Sequence, residues 1–337
     1  MTEPAENTTS PDAAALSTPA GQKEKSINWK RLKKRVAIGT TLLGLSSGFL
    51  YLDFVYESAI CFMILVAVLM PGALYEFYSF LGKKSFTPLK WMGVITVIAL
   101  IGYEYGVNHF EKFAQADYFT INQLMSFIFF FGIFLYYLFF RDEPHVIENI
   151  AFTIFGIAYI WGLGRFTLYI RFYHGEMGAA GQEVGRALVF FLILVAKGND
   201  VFAYFGGTFL GRHKLIPRVS PGKTWEGSIC GFFGGIVIGL VIYYVSCLKL
   251  QVNVDKGLTL SFIILAAAVV GVAGQLGDLV ESLLKRKAGV KDSSNLIPEY
   301  GGVLDLVDSL LLAGPALYFL VYFCTKIQFR MPVLGGG

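Results

Sequence analysis

Residues 190–211 read FFLILVAKGNDVFAYFGGTFLG: seven apolar side chains, then Lys197, Asn199 and Asp200, then a second apolar stretch rich in aromatics and glycine. About 20 mainly apolar residues are enough to cross a bilayer as a helix, and this run carries charge at its middle. An ionisable group at mid-span costs about 2.5 to 3.5 kcal/mol on insertion scales. Two in one span point either to a Lys197/Asp200 pair that neutralises itself at i,i+3 or to the polar floor of a cavity.

Runs of the same kind recur along the chain near 36–53, 58–75, 91–107, 119–140, 149–164, 189–209, 228–248, 259–277 and 303–325. The expected fold is therefore all-α, a polytopic membrane protein with about nine spans. Composition agrees, since 55% of the 337 residues are hydrophobic and 15% are charged, against roughly 25% charged in soluble domains. So few charges cannot cover a soluble surface of this size, which excludes an ordinary cytosolic protein and a disordered or collagen-like one. A net charge of +4 is too weak and diffuse for a nucleic-acid partner. The four cysteines show no CxxC spacing and the four histidines are scattered, so neither a thiolate metal site nor a histidine triad is indicated.

Four parts are expected. Residues 1–35 form a flexible tail ending in Lys30, Arg31, Lys33, Lys34 and Arg35, directly before an uncleaved first span. Residues 36–185 hold about five spans of Phe, Ile, Leu and Tyr, residues 186–325 hold about four in which polar residues crowd, and 326–337 form a short tail. With the N-terminus inside, Lys and Arg number 19 on the inner side and 8 on the outer, which places the N-terminus in the cytoplasm.

Two further clusters accompany Lys197 and Asp200. Ser220-Pro-Gly-Lys-Thr-Trp-Glu-Gly227 invites a phosphate-loop reading, but that motif needs Gly where Pro217 stands. What remains is a basic inner loop in which Ser220, Lys223 and Thr224 are able to grip phosphate oxygens. The second cluster is the richest. Asp278, Glu281, Ser282, Lys285 and Arg286 fall on one helical stripe, Lys291 and Asp292 follow, and Asp305, Asp308 and Ser309 repeat the i, i+3, i+4 pattern on the next span. Carboxylates facing one another across helix ends repel unless a cation lies between them. Hard oxygen ligands without His or Cys point to Mg²⁺, with a second cation as a further expectation. The neighbouring Lys and Arg residues suit a polyanionic substrate.

This pattern resembles the phosphatidate cytidylyltransferases, or CDP-diacylglycerol synthases. The resemblance rests on Ser282, Lys285, Arg286, Lys291, Asp292, Pro298, Gly301, Gly302, Asp305 and Asp308 at the family's spacings, and on the 220–227 loop and residues 200–211. Tyr300 stands where the family has His, and Leu306 where it has Arg. The resemblance covers mainly residues 195–310. It implies that CTP and phosphatidate give CDP-diacylglycerol and pyrophosphate, in a homodimer of a bacterial inner or plasma membrane whose site faces the cytoplasm. It also implies Asp278, Asp305 and Asp308 on the metal with Glu281 in support, Lys285 as a catalytic group, and Ser220, Lys223, Thr224, Ser282, Arg286, Lys291 and Asp200 around the substrates. Two other classes stay open at this stage: a CTP-dependent lipid kinase, which uses the same charges, and an ion-coupled transporter built on Lys197 and Asp200.

Overall fold

The computed structural model describes residues 29–56, 58–109, 118–173, 179–249, 260–294, 296–297 and 301–330. The helices are α1 (Trp29–Val55), α2 (Ile60–Leu81), α3 (Lys90–His109), α4 (Tyr118–Phe140), α5 (Val146–Gly164), the short α6 (Phe166–Arg171), α7 (Ala179–Phe209), α8 (Trp225–Lys249), α9 (Leu260–Lys287) and α10 (Leu304–Arg330). Each of the nine expected apolar runs lies largely within one of the long helices. This is what a bilayer demands, because it offers backbone N–H and C=O groups no water and a helix satisfies them internally. Seven segments among the described residues are long and apolar enough to cross a membrane, and α1 and α3 provide none of them. In α3 the hydrophobic run ends early, at Glu104 and Asn108; α1 opens on a basic turn and carries Gly, Thr and Ser through its middle. The chain is an integral membrane protein, and large side chains such as Phe127, Phe131, Phe134 and Leu138 on α4 point outward.

One apolar core runs from α1 to α10 through Phe62, Phe77, Ile160, Leu192, Val270 and Leu311, so the first and second halves of the chain pack together. Small residues let the helices approach. On α8, Gly227, Gly231 and Gly235 repeat every fourth residue along the face turned to α7, and a Cβ at Gly231 would stand 2.3 Å from Asn199 Oδ1. An amide clasp closes the same seam. Asn199 donates to the Gly271 carbonyl at 2.6 Å, and Gln275 donates to Asn199 Oδ1 and to the Ser228 carbonyl, both at 2.9 Å, so α7, α8 and α9 are tied together.

The inner loop read from the sequence contains a feature that was not expected there. Lys214–Ile216 (β1) and Ser220–Thr224 (β2) pair as an antiparallel hairpin, with Lys214 opposite Thr224 and Ile216 opposite Ser220. Lys214 Nζ donates across it to the Pro221 carbonyl at 2.6 Å. The Glu226 carboxylate accepts the backbone N–H groups of Arg212 and His213, which fixes the hairpin to the start of α8.

Candidate active site

The last turns of α9, the first turns of α10, the middle of α7 and the hairpin converge. On α9 the residues at 278, 281, 282 and 285 share a face because the helix repeats every 3.6 residues. Gly277 lets that face meet α10 closely: a Cβ there would stand 2.4 Å from the Asp308 carbonyl oxygen. As a result Asp278 and Glu281 of α9 and Asp308 of α10 bring carboxylate oxygens within 4.8 Å of one another.

Glu281 is 1% exposed and Asp308 6%. Glu281 Oε1 has no hydrogen-bond donor among the described residues, while Oε2 is held by the Lys285 ammonium at 2.5 Å. A buried carboxylate oxygen left without a donor is costly to maintain. Three carboxylates this close, with no nitrogen or sulfur ligand among them, fit a hard divalent cation that takes oxygen ligands.

Three lysines surround the trio. Lys223, from the hairpin, reaches Asp278 Oδ2 at 2.7 Å. Lys197, from mid-α7, donates to Ser309 Oγ at 2.8 Å and lies 3.5 Å from Asp200 Oδ2 and 3.9 Å from Asp308 Oδ1. The pair and the polar floor proposed for 197–200 are thus the same object, since Lys197 pairs with Asp200 and also faces the carboxylates. Lys285 bridges Glu281 and Asp305.

Asp305, expected among the metal ligands, stands apart from this trio. Lys285 holds its Oδ1, while Oδ2 accepts from Ser293 Oγ, from the Ser293 N–H at 3.3 Å and from the Gly302 N–H at 2.7 Å. Glu281, expected only in support, is in the trio. Thr224 is buried, and its Oγ1 accepts the Gly227 N–H at 3.2 Å, so it caps the start of α8. Ser282 donates to Asp278 Oδ1 at 3.3 Å. Arg286 donates to the Val219 and Val290 carbonyls, which ties α9 to the hairpin. Ser220 is half-buried on β2 and Lys291 is exposed in the segment after α9. Leu306 packs against the apolar core; Pro298 and Tyr300 lie outside the described residues.

Sequence reasoning missed two contributors. Glu76, 6% exposed on α2, accepts hydrogen bonds from Ser294 Oγ and the Leu304 N–H and contacts Ser293 Oγ. The only signal was a lone acid at the end of an apolar run. Gln275, one turn before Asp278, was hidden within such a run.

A family model described as the cytidylyltransferase family matches residues 33–324. The chain is 31% identical over 280 residues to the phosphatidate cytidylyltransferase of Bacillus subtilis (strain 168), which covers 83% of this chain and 96% of that protein. It is 43% identical over 139 residues to that of Haemophilus influenzae, 41% of this chain and 47% of the relative. With that of Staphylococcus epidermidis it shares 37% over 171 residues, 51% of this chain and 58% of the relative. The match extends from α1 to α10 and takes in every helix that contributes to the carboxylate and lysine cluster: the chain belongs to the cytidylyltransferase family.

Proposed function

We propose that the protein transfers the cytidylyl group of CTP to phosphatidate, giving CDP-diacylglycerol and pyrophosphate. The observation that carries this reading is the trio Asp278, Glu281 and Asp308, ringed by lysines at the ends of membrane helices. A phosphate oxygen of the lipid attacks the α-phosphorus of CTP. A new P–O bond forms there, the bond to the β-phosphate bridging oxygen breaks, and its electron pair leaves with pyrophosphate. The nucleophile is already ionised at neutral pH, so the site needs no strong general base. Its task is to bring two polyanions together and to stabilise charge on the leaving group.

Asp278, Glu281 and Asp308 would hold Mg²⁺, which when bound supplies positive charge against the phosphates. The chain's own residues do the rest. Lys223 is half-buried on the hairpin and rests against Asp278, from where it is free to swing to a phosphate. Arg286 and Lys291, both exposed, extend the cationic surface on the same side. Lys285 is buried between Glu281 and Asp305, so its part is to hold those two carboxylates in place. Lys197 limits the repulsion between Asp308 and Asp200. The excess of Lys and Arg on the side carrying the hairpin and the 278–302 segment supports a site at the cytoplasmic face, where a water-soluble nucleotide and a lipid head group meet.

The test follows the label. With purified protein, Mg²⁺ and phosphatidate, α-labelled CTP should put its label into lipid and γ-labelled CTP should release it in pyrophosphate. A γ-label in lipid with the α-label left in CDP would make the protein a lipid kinase and overturn the assignment.

A further inference from the structure

Glu76 is an acid on a helix that contributes nothing else to the site. Its neighbours Phe77, Tyr78 and Phe80 are buried apolar residues of the core, and a carboxylate among them requires specific partners. Those partners come from more than 200 residues further along the chain. Oε1 accepts from Ser294 Oγ at 2.6 Å; Oε2 accepts from the Leu304 N–H at 2.9 Å and contacts Ser293 Oγ at 3.2 Å. Leu304 is the first residue of α10, so Glu76 places a negative charge on an orphan N–H at the positive end of that helix. Ser293 Oγ also contacts Asp305 Oδ2. A hydroxyl has one proton, so Ser293 serves one carboxylate at a time and couples the two.

We propose that Glu76 is a positioning residue for the site. It anchors the start of α10 and the 293–294 segment to α2, and thereby holds Asp305 on Lys285. One turn further along the same helix, it holds Asp308 against Asp278 and Glu281. The inference deepens the metal reading of those three carboxylates and rests on it.

Glu76→Gln keeps the size of the side chain but leaves one acceptor oxygen and no charge. In the full-length protein in detergent, kcat should fall about 10-fold, the lower end for residues that orient metal ligands through others, with KM for CTP and phosphatidate within about 2-fold of wild type. Mn²⁺ binding to the nucleotide-free protein, read by electron paramagnetic resonance, should weaken by a similar factor. If Glu76→Gln does not accumulate as folded protein, Ser294→Ala, which removes one partner and leaves the carboxylate intact, should show the same two changes at smaller size. A Glu76→Gln protein with a lowered unfolding midpoint but wild-type Mn²⁺ affinity and kcat would mean a structural role alone and overturns the proposal; so does an unchanged Ser294→Ala where that variant is the one measurable. Wild-type protein that binds no Mn²⁺ overturns the metal reading together with this inference. Wild-type Mn²⁺ binding without cytidylyl transfer overturns the assigned reaction and leaves the positioning result to be read from affinity.

Discussion

Replacing Gly277 with Ala tests whether the close approach of α9 and α10 sets the chemistry. The added Cβ would lie 2.4 Å from the Asp308 carbonyl oxygen and 3.3 Å from both Asp308 C and Ser309 Cα. Ordinary contact begins near 3.4 Å, and the obstacle is helix backbone, which has no rotamer to yield. The helices must therefore part locally by about 1 Å. Overpacking of this kind costs about 1 to 3 kcal/mol, partly offset by the roughly 1 kcal/mol that Ala gains over Gly in a helix. The larger effect is on geometry, because the displaced residue is Asp308 itself. A shift of about 1 Å in an active site costs on the order of 10²-fold in rate. The control is one turn away: a Cβ at Gly274 would meet Ser309 Cβ at 3.6 Å and Ala196 Cβ at 4.0 Å, both ordinary contacts. Transfer of α-label from CTP to lipid should thus fall about 100-fold in Gly277→Ala and stay within about 3-fold of wild type in Gly274→Ala, with both proteins folded by thermal unfolding in detergent. Equal rates in the two variants would refute the reasoning.

Asp308→Asn should lower kcat by more than the ~10 to 100-fold of changes outside a metal's own ligands, and excess EDTA should abolish transfer in the wild type; activity that survives both removes the metal from the reaction. Lys223→Met should raise KM for CTP by about 10-fold or more, the loss expected for a charge-assisted contact, and an unchanged KM in steady-state assays would take the hairpin lysine away from the nucleotide. A single cysteine at the exposed Arg218, R218C in a protein freed of its own cysteines, should resist an impermeant thiol reagent in intact cells and react after lysis. Labelling from outside would reverse the orientation.

The helices were legible because apolar runs of bilayer length leave few alternatives, and the 278–286 stripe was legible because helical spacing alone puts Asp278, Glu281, Ser282 and Lys285 on one face. The division of labour between Asp305 and Asp308 was not. Both lie on the expected face of α10, and which one joins the trio depends on the segment before α10 folding back so that Ser293 and Gly302 occupy Asp305. Glu76 escaped for a related reason: its partners are 217 to 228 residues away, a distance no periodicity reports. The hairpin at 214–224 is hidden in the sequence because its strands are too short to show an alternating pattern, and so is the Thr224 Oγ1 that accepts the Gly227 N–H at the start of α8.

The ion pairs within single helices bear on how the protein is made. Lys197 and Asp200 are i,i+3 on α7, and Glu281 and Lys285 are i,i+4 on α9. Each helix therefore carries its own counter-charge when it leaves the ribosome, which lessens the penalty of moving charged groups into lipid before any partner helix is present. Asp308 is different. Its lysine, Lys197, is on α7, so α10 brings a bare acid to a cation that was laid down more than a hundred residues earlier. Insertion of α10 and completion of the carboxylate cluster are then one event, and a nascent chain halted before residue 304 would hold a membrane-embedded intermediate that lacks Asp305 and Asp308.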